Sequence, residues 1–305
     1  MKPNLSFLLA AIASLPMLAF SRVLERRYSS TLEPVPGFSP NPTNVPMYLY
    51  KPTSFKAGNP VILVVHYCGG SAQAMFGNLP DLPTLADERG ILLIYPDSPH
   101  LEDHCWDVSS KETLTHDGGG DSTSLKNMVD YAQATYKASE ELVYVMGISS
   151  GAMMTQVLSA TYPNVFRAAA AYSGVPAGCF ASPTGLVDAW NPDCAQGKII
   201  KTAKEWGDIA RAMYPQYSSR RPRMQLFHGT ADDVLLYQDH LEAVKQWSDV
   251  LQVDLETPTS VRDNWPSQGL TTTEYGNELV RVVGNGIGHN FPANMTLTLD
   301  FFGIL

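Results

Sequence analysis

Apolar residues along this chain arrive in short unbroken runs, separated by longer stretches in which they recur every three or four positions. The runs are VILVV at 61–65, ILLIY at 91–95, VYVM at 143–146, AAAAY at 168–172, RMQLF at 223–227 and ELVRVV at 278–283. Continuous, often β-branched runs of this length predict strands covered on both faces. MYLY at 47–50 predicts a strand that opens the domain, after a proline-rich approach at 34–46. Helical spacing predicts helices at 83–89, 152–162, 206–213, 239–251 and 295–302. A further helix follows the three glycines at 118–120, with Ser122 or Ser124 as its N-cap and Leu125, Met128, Val129 and Ala132 on one face. Strands alternating with helices predict an α/β fold, a mostly parallel sheet with helices on both faces joined by right-handed crossovers. The 96–121 segment is too long to be a mere connection. No repeat or linker divides the chain, so residues 28–305 read as one domain without an appended module.

One strand-to-helix junction carries chemistry. The run at 143–146 stops at GISSG, residues 147–151, and continues as a helix. So tight a turn forces its central residue into a strained backbone, so the positions two before and two after must lack bulky side chains; Gly147 and Gly151 meet that need. Ser149 is therefore the candidate nucleophile. In open parallel sheets the partners gather beyond the carboxyl ends of the strands. HGTADD at 228–233 follows one such strand directly and offers Asp232 and Asp233 as the acid, while GIGH at 286–289 follows the last strand and offers His289 as the base. The order Ser, Asp, His is that of α/β-hydrolases. Two backbone amides should receive the oxyanion, that of Ser150 and one from the loop after the first buried strand, where Cys68 precedes two glycines. His66 and His228 read as hydrogen-bonding supports, His100, His104 and His116 as loop residues, and His240 as lying on a polar helix face.

Charge and cysteines narrow the partners. Of 21 Lys and Arg and 30 Asp and Glu, four basic residues (Lys2, Arg22, Arg26, Arg27) and one acidic (Glu25) fall in residues 1–27. Residues 1–21 have the charge, short apolar core and small-residue end of a signal peptide, and 22–27, ending in two arginines, read as a propeptide. Their removal takes the formal charge from −9 to −12. So acidic a chain, without a basic cluster, is unsuited to nucleic acid or anionic membranes. Four cysteines in a secreted chain predict two disulfides. Three pairings are open, and joining neighbours, Cys68 to Cys105 and Cys179 to Cys194, is the simplest. No CxxC spacing suggests a metal. Asn294 opens an N-glycosylation sequon, NMT.

Several segments together resemble the fungal acetyl xylan esterases of carbohydrate esterase family 1, relatives of feruloyl esterases and polyhydroxybutyrate depolymerases. They are HYCGGSAQ at 66–73, CWDVSS at 105–110, LTHDGGG at 114–120, SSGAMMT at 149–155, YSGVPAGC at 172–179, RPRMQ at 221–225 and GIGH at 286–289. The resemblance implies an extracellular α/β-hydrolase that removes acetyl groups from xylan without metal or cofactor; the chain is separately expected to act as a monomer. It selects Asp232 over Asp233 as the acid and puts Trp190 near the acyl pocket. The chain departs from the family pattern at Ile148, where a serine is expected, and at Asn290, Phe291 and Pro292 after the histidine. These departures leave the reaction class and put the acyl or polysaccharide preference in question. The competing expectations are a feruloyl esterase acting on the same polymer and a carbohydrate-binding protein with an inactive hydrolase fold. The intact Ser149, Asp232 and His289 set argues against the latter.

Overall fold

A computed structural model describes residues 31–305; the signal-peptide and propeptide readings fall outside the described residues. In chain order the elements are β1 (Glu33–Val35), β2 (Met47–Tyr50), β3 (Val61–Val65), α1 (Ala72–Asn78), α2 (Asp81–Arg89), β4 (Leu92–Pro96), α3 (Asp121–Tyr136), β5 (Val143–Ile148), α4 (Ser150–Thr161) and β6 (Ala168–Tyr172). They continue with α5 (Pro192–Ala195), α6 (Ala203–Ala212), β7 (Arg223–Gly229), α7 (Tyr237–Leu251), β8 (Ser260–Asp263), β9 (Leu270–Tyr275), β10 (Leu279–Gly284) and α8 (Met295–Phe302). The strands form one sheet in the order β1-β2-β4-β3-β5-β6-β7-β10-β9-β8. The six central strands, β4 to β10 in that order, run parallel. Antiparallel pairs extend both edges, β1 with β2 on one side and β8 with β9 on the other.

Why the central strands are largely apolar on both sides follows from what lies on each face. Successive side chains point to opposite sides of a strand. Leu63, Val65, Val145, Ala169 and Leu226 therefore join one core with residues of α3, α4, α6 and α7, among them Met128, Met154, Trp206 and Trp247. Their neighbours Ile62, Val64, Tyr144, Met146, Ala170 and Phe227 join a second core with Met75 of α1, Leu82 of α2 and Leu299 of α8. Packing is tight just beyond β6, where a Cβ on Gly174 would lie 2.9 Å from the Ala152 methyl in α4.

Several expectations need correction. Helix α3 begins at Asp121 with Gly120 as N-cap, so neither Ser122 nor Ser124 caps it. Their hydroxyls are used elsewhere: Ser122 Oγ donates to the Thr113 carbonyl at 2.6 Å, and Ser124 Oγ pairs with Thr43 Oγ1 at 2.8 Å. His240 is not on a polar face. It is buried, with ring centroids 5.6 Å from both His228 and Tyr237, because α7 turns that side toward the sheet. Strands β1, β8 and β9 and helices α1 and α5 have no counterpart among the sequence expectations. β1 and β8 are the edges of the sheet and β9 lies one strand in, beside β8; none of the three carries an apolar run, and the two helices are short.

Candidate active site

Ser149 stands between the last residue of β5 and the first of α4, with φ 54° and ψ −119°. Positive φ in a non-glycine residue costs energy and persists only when its surroundings enforce it. Here they do. The Ser149 amide donates to the Tyr172 carbonyl at 2.9 Å, and the Ser149 carbonyl accepts from Ala152 and Met153 at 2.8 and 2.9 Å. A Cβ on Gly147 would strike the Gly151 carbonyl, and one on Gly151 would strike the carbonyls of Val65 and His66. Both glycines are thus fixed by backbone crowding, and the helix N-terminus brings partial positive charge to the serine.

Three loops from the sheet's carboxyl edge meet at this serine. His289 Nε2 lies 2.9 Å from Ser149 Oγ, and His289 Nδ1 lies 2.8 Å from Asp232 Oδ2. With Nδ1–H donating to the carboxylate, Nε2 presents a lone pair to the serine hydroxyl. Asp232 is buried, and its Oδ1 accepts from the amides of Val234 and Leu235, both at 3.0 Å. His228 Nε2 lies 2.8 Å from the Leu235 carbonyl and 3.1 Å from Asp232 Oδ2. Both neighbours are acceptors, so that nitrogen carries a proton and the acid receives a second donor. Burial by itself raises the Asp232 pKa; the hydrogen bonds from His228 and His289, the His289 charge and the Val234 amide outweigh it and hold the carboxyl well below its usual range. The acid and histidine loops are also tied together, the Ala231 amide donating to the Ile287 carbonyl at 2.9 Å. A Cβ on Gly229 would strike that same carbonyl.

Across from the histidine lies the loop after β3. Among the described residues, neither the Cys68 amide nor the Ser150 amide donates to a protein acceptor, and both residues line the cavity that holds Ser149 and His289. Cys68 is disulfide-bonded to Cys105, and Cys179 to Cys194. The Gly69 amide donates to the Asp103 carbonyl at 2.6 Å, and Trp106 Nε1 donates to the His66 carbonyl at 2.8 Å. His66 accepts the Ser98 amide at Nε2, 3.0 Å, and donates through Nδ1 to the Tyr67 carbonyl at 2.8 Å, which makes it a neutral brace. The cavity measures about 770 Å³. Its apolar wall includes Trp106, Val108, Met153, Phe180 and Trp190, with Ile148 and residues 290–292 on the side of the serine and histidine. Trp190 is 56 % exposed and meets Phe180 edge-on at 5.1 Å.

Ser173, which the sequence reading passed over, holds the histidine loop. It has φ 55°, and its hydroxyl donates to the His289 carbonyl at 3.0 Å. Its place directly after a buried strand was the available signal; its backbone conformation was not readable. Asp233 is exposed, outside the hydrogen-bonded series. His100 pairs with Asp121 at 2.8 Å, and His116 stacks on Tyr214 at 3.5 Å, both ordering the long loop. Asn294 caps α8, its Oδ1 accepting from the Leu297 amide at 2.9 Å. Among the described residues, the ligating atoms drawn together in a potential metal cluster are the Cys179 and Cys194 sulfurs with an Asp239 oxygen, and both sulfurs are committed to a disulfide.

Comparisons with known proteins bear on this geometry. The family model described as Esterase PHB depolymerase matches residues 45–193. The probable acetylxylan esterase A of Aspergillus flavus is 46 % identical over 275 residues, covering 90 % of this chain and 89 % of that protein. The Aspergillus clavatus probable acetylxylan esterase A is 44 % identical over 304 residues, covering 98 % of each. Among solved structures, the acetyl xylan esterase from Aspergillus awamori superposes with a TM-score of 0.87 at 44 % identity, over 90 % of this chain and all of that one. The S-formylglutathione hydrolase of Staphylococcus aureus, at a TM-score of 0.53 and 14 % identity, covering 90 % of this chain and 98 % of that one, shares the fold alone.

Proposed function

This chain belongs to the acetylxylan esterase family, and from that membership we propose that it is a secreted serine esterase that removes acetyl groups from acetylated xylan through an acyl-enzyme. The observation that carries the proposal is the unbroken series Ser149 Oγ, His289, Asp232, at 2.9 and 2.8 Å, opening into the cavity beside two undonated amides. In this reading His289 Nε2 takes the Ser149 proton as Oγ attacks the ester carbonyl. The amides of Cys68 and Ser150 receive the oxyanion, and Asp232 holds the ring and offsets its positive charge. Collapse returns the proton to the departing sugar oxygen and leaves an acetyl group on Ser149. A water activated by the same imidazole then releases acetate.

Each oxyanion donor would contribute on the order of 3–4 kcal/mol to the transition state. Trp190 and Phe180 would supply the apolar wall on which the acyl group rests. The two disulfides support an oxidising, extracellular setting. Comparing hydrolysis of acetylated xylan and methyl ferulate by one preparation tests the substrate; faster turnover of the ferulate would overturn the acetyl assignment. Ser149→Ala tests the nucleophile and should remove measurable ester hydrolysis, so an unchanged rate would remove Ser149 from its role.

A further inference from the structure

The cavity is far larger than a two-carbon acyl group needs, and its volume lies in the range of about 300–1,000 Å³ typical of sites for whole small molecules. Beyond the triad, its wall carries two acids, Asp103 and Asp188, from loops distant in sequence. Burial, and after it the charge of Asp103, raise the Asp188 carboxyl, which sets the two acids close to one another in the cavity wall. The pair is built rather than accidental. The Asp188 amide donates to buried Asp107 at 3.0 Å, and the Ala189 amide donates to Ser109 Oγ at 2.8 Å. On the other side, Asp103 Oδ1 accepts the Cys105 amide at 2.8 Å, and its carbonyl accepts the Gly69 amide in the Cys68 loop. Asp188 holds φ 51°, a conformation asparagine and aspartate tolerate better than most residues.

We propose that Asp188, paired with Asp103, is a substrate-positioning residue whose carboxyl hydrogen-bonds the free hydroxyls of the sugar unit bearing the ester. The pair then sets a preference for sugar acetates over aryl acetates; this rests on the functional reading above. A protonated Asp188 both donates to and accepts from vicinal hydroxyls, which a carboxylate cannot. The groups facing Asp188 are Asp103, Asp107 and His100, all from the 96–121 loop. Burial first, then the charge of Asp103, push Asp188 up to about 7, with His100 opposing.

The test compares Asp188→Gly, which removes the carboxyl without straining positive φ, with Asp188→Asn, which keeps one donor and one acceptor. Acetylated xylo-oligosaccharide and p-nitrophenyl acetate are the substrates. Asp188→Gly should raise KM for the oligosaccharide roughly tenfold or more, as for a lost hydrogen bond to a charged group, and change KM for the aryl ester far less. Asp188→Asn should stay near wild type on the oligosaccharide and abolish the rise in KM that wild type shows above about pH 7, where Asp188 loses its proton. Equal effects on both substrates, or an unchanged oligosaccharide KM in Asp188→Gly, would overturn the positioning role alone. A wild-type enzyme that cleaves the aryl acetate and ignores the oligosaccharide would sink the functional reading itself.

Discussion

Ser149 reaches its partners through a backbone conformation that it would not adopt unaided, so at the scale of single residues the site is most vulnerable where that conformation is enforced. Gly147→Ala or Gly151→Ala would push a methyl into a neighbouring carbonyl, and no flexible side chain is there to yield. Either variant should express poorly or lose several degrees of melting temperature, together with activity. Asp232→Asn makes a different kind of change. Shape is kept, but His228 and His289 approach Oδ2 while the Val234 and Leu235 amides donate to Oδ1. An asparagine must therefore turn its NH2 against one of these pairs of donors, and with the NH2 toward His289 the imidazole loses the partner that fixes its tautomer. A fall in kcat of roughly 10³–10⁴-fold, with KM little altered, is expected from the equivalent loss in other serine hydrolases. A drop of less than tenfold in steady-state assays would show that Asp232 does not orient the base.

At the scale of elements, the active site is a meeting of loops that the sheet alone does not hold in place. The Cys68–Cys105 bridge joins the loop after β3 to the loop after β4. Closing that span contributes about 4 kcal/mol by chain entropy if unstrained. Cys105→Ala keeps the Cys68 amide and frees its loop, so both thermal stability and kcat on an aryl acetate should fall. Cys194→Ala opens the shorter loop that carries Asp188 and Trp190. It should cost about 3 kcal/mol and act more on KM for the oligosaccharide than on kcat. Calorimetry beside steady-state kinetics separates the two, and similar kinetic profiles for both variants would mean the bridges serve stability only.

For the whole molecule, the pH dependence of stability reflects buried acids of opposite kinds. Asp232 is held well below the usual range, so its contribution is present above the ordinary aspartate pKa and is lost as pH falls through its folded value. Asp239 is buried against the Cys179–Cys194 bridge, and burial first, then the charges of Asp232 and Glu242, push it up to about 8. The folded protein keeps that proton while the unfolded chain releases it above about pH 4, so this group lowers stability steadily from about pH 4 to about pH 8. Asp239→Asn should remove that slope and stabilise the protein at pH 8 by on the order of 1–3 kcal/mol relative to its effect at pH 4. Denaturant titrations at the two pH values would show it; equal shifts at both would contradict a protonated Asp239.

The strands that build the centre of the sheet were legible because both their faces are buried, leaving unbroken apolar runs such as VILVV. The turn at Gly147 to Gly151 was legible because backbone crowding admits few residues there, and the order of Ser149, Asp232 and His289 because chain order does not depend on packing. The strands at the β8 end were not, since LTTTEY at β9 is only half-buried and carries no apolar stretch. His240 was misplaced because whether a helix face meets water or a neighbour depends on what docks against it. For the same reason only the tertiary structure could bring Ser173 under His289 or set Asp188 against Asp103: contacts between residues 85 or more positions apart are settled by how the loops pack, and local pattern carries no record of that.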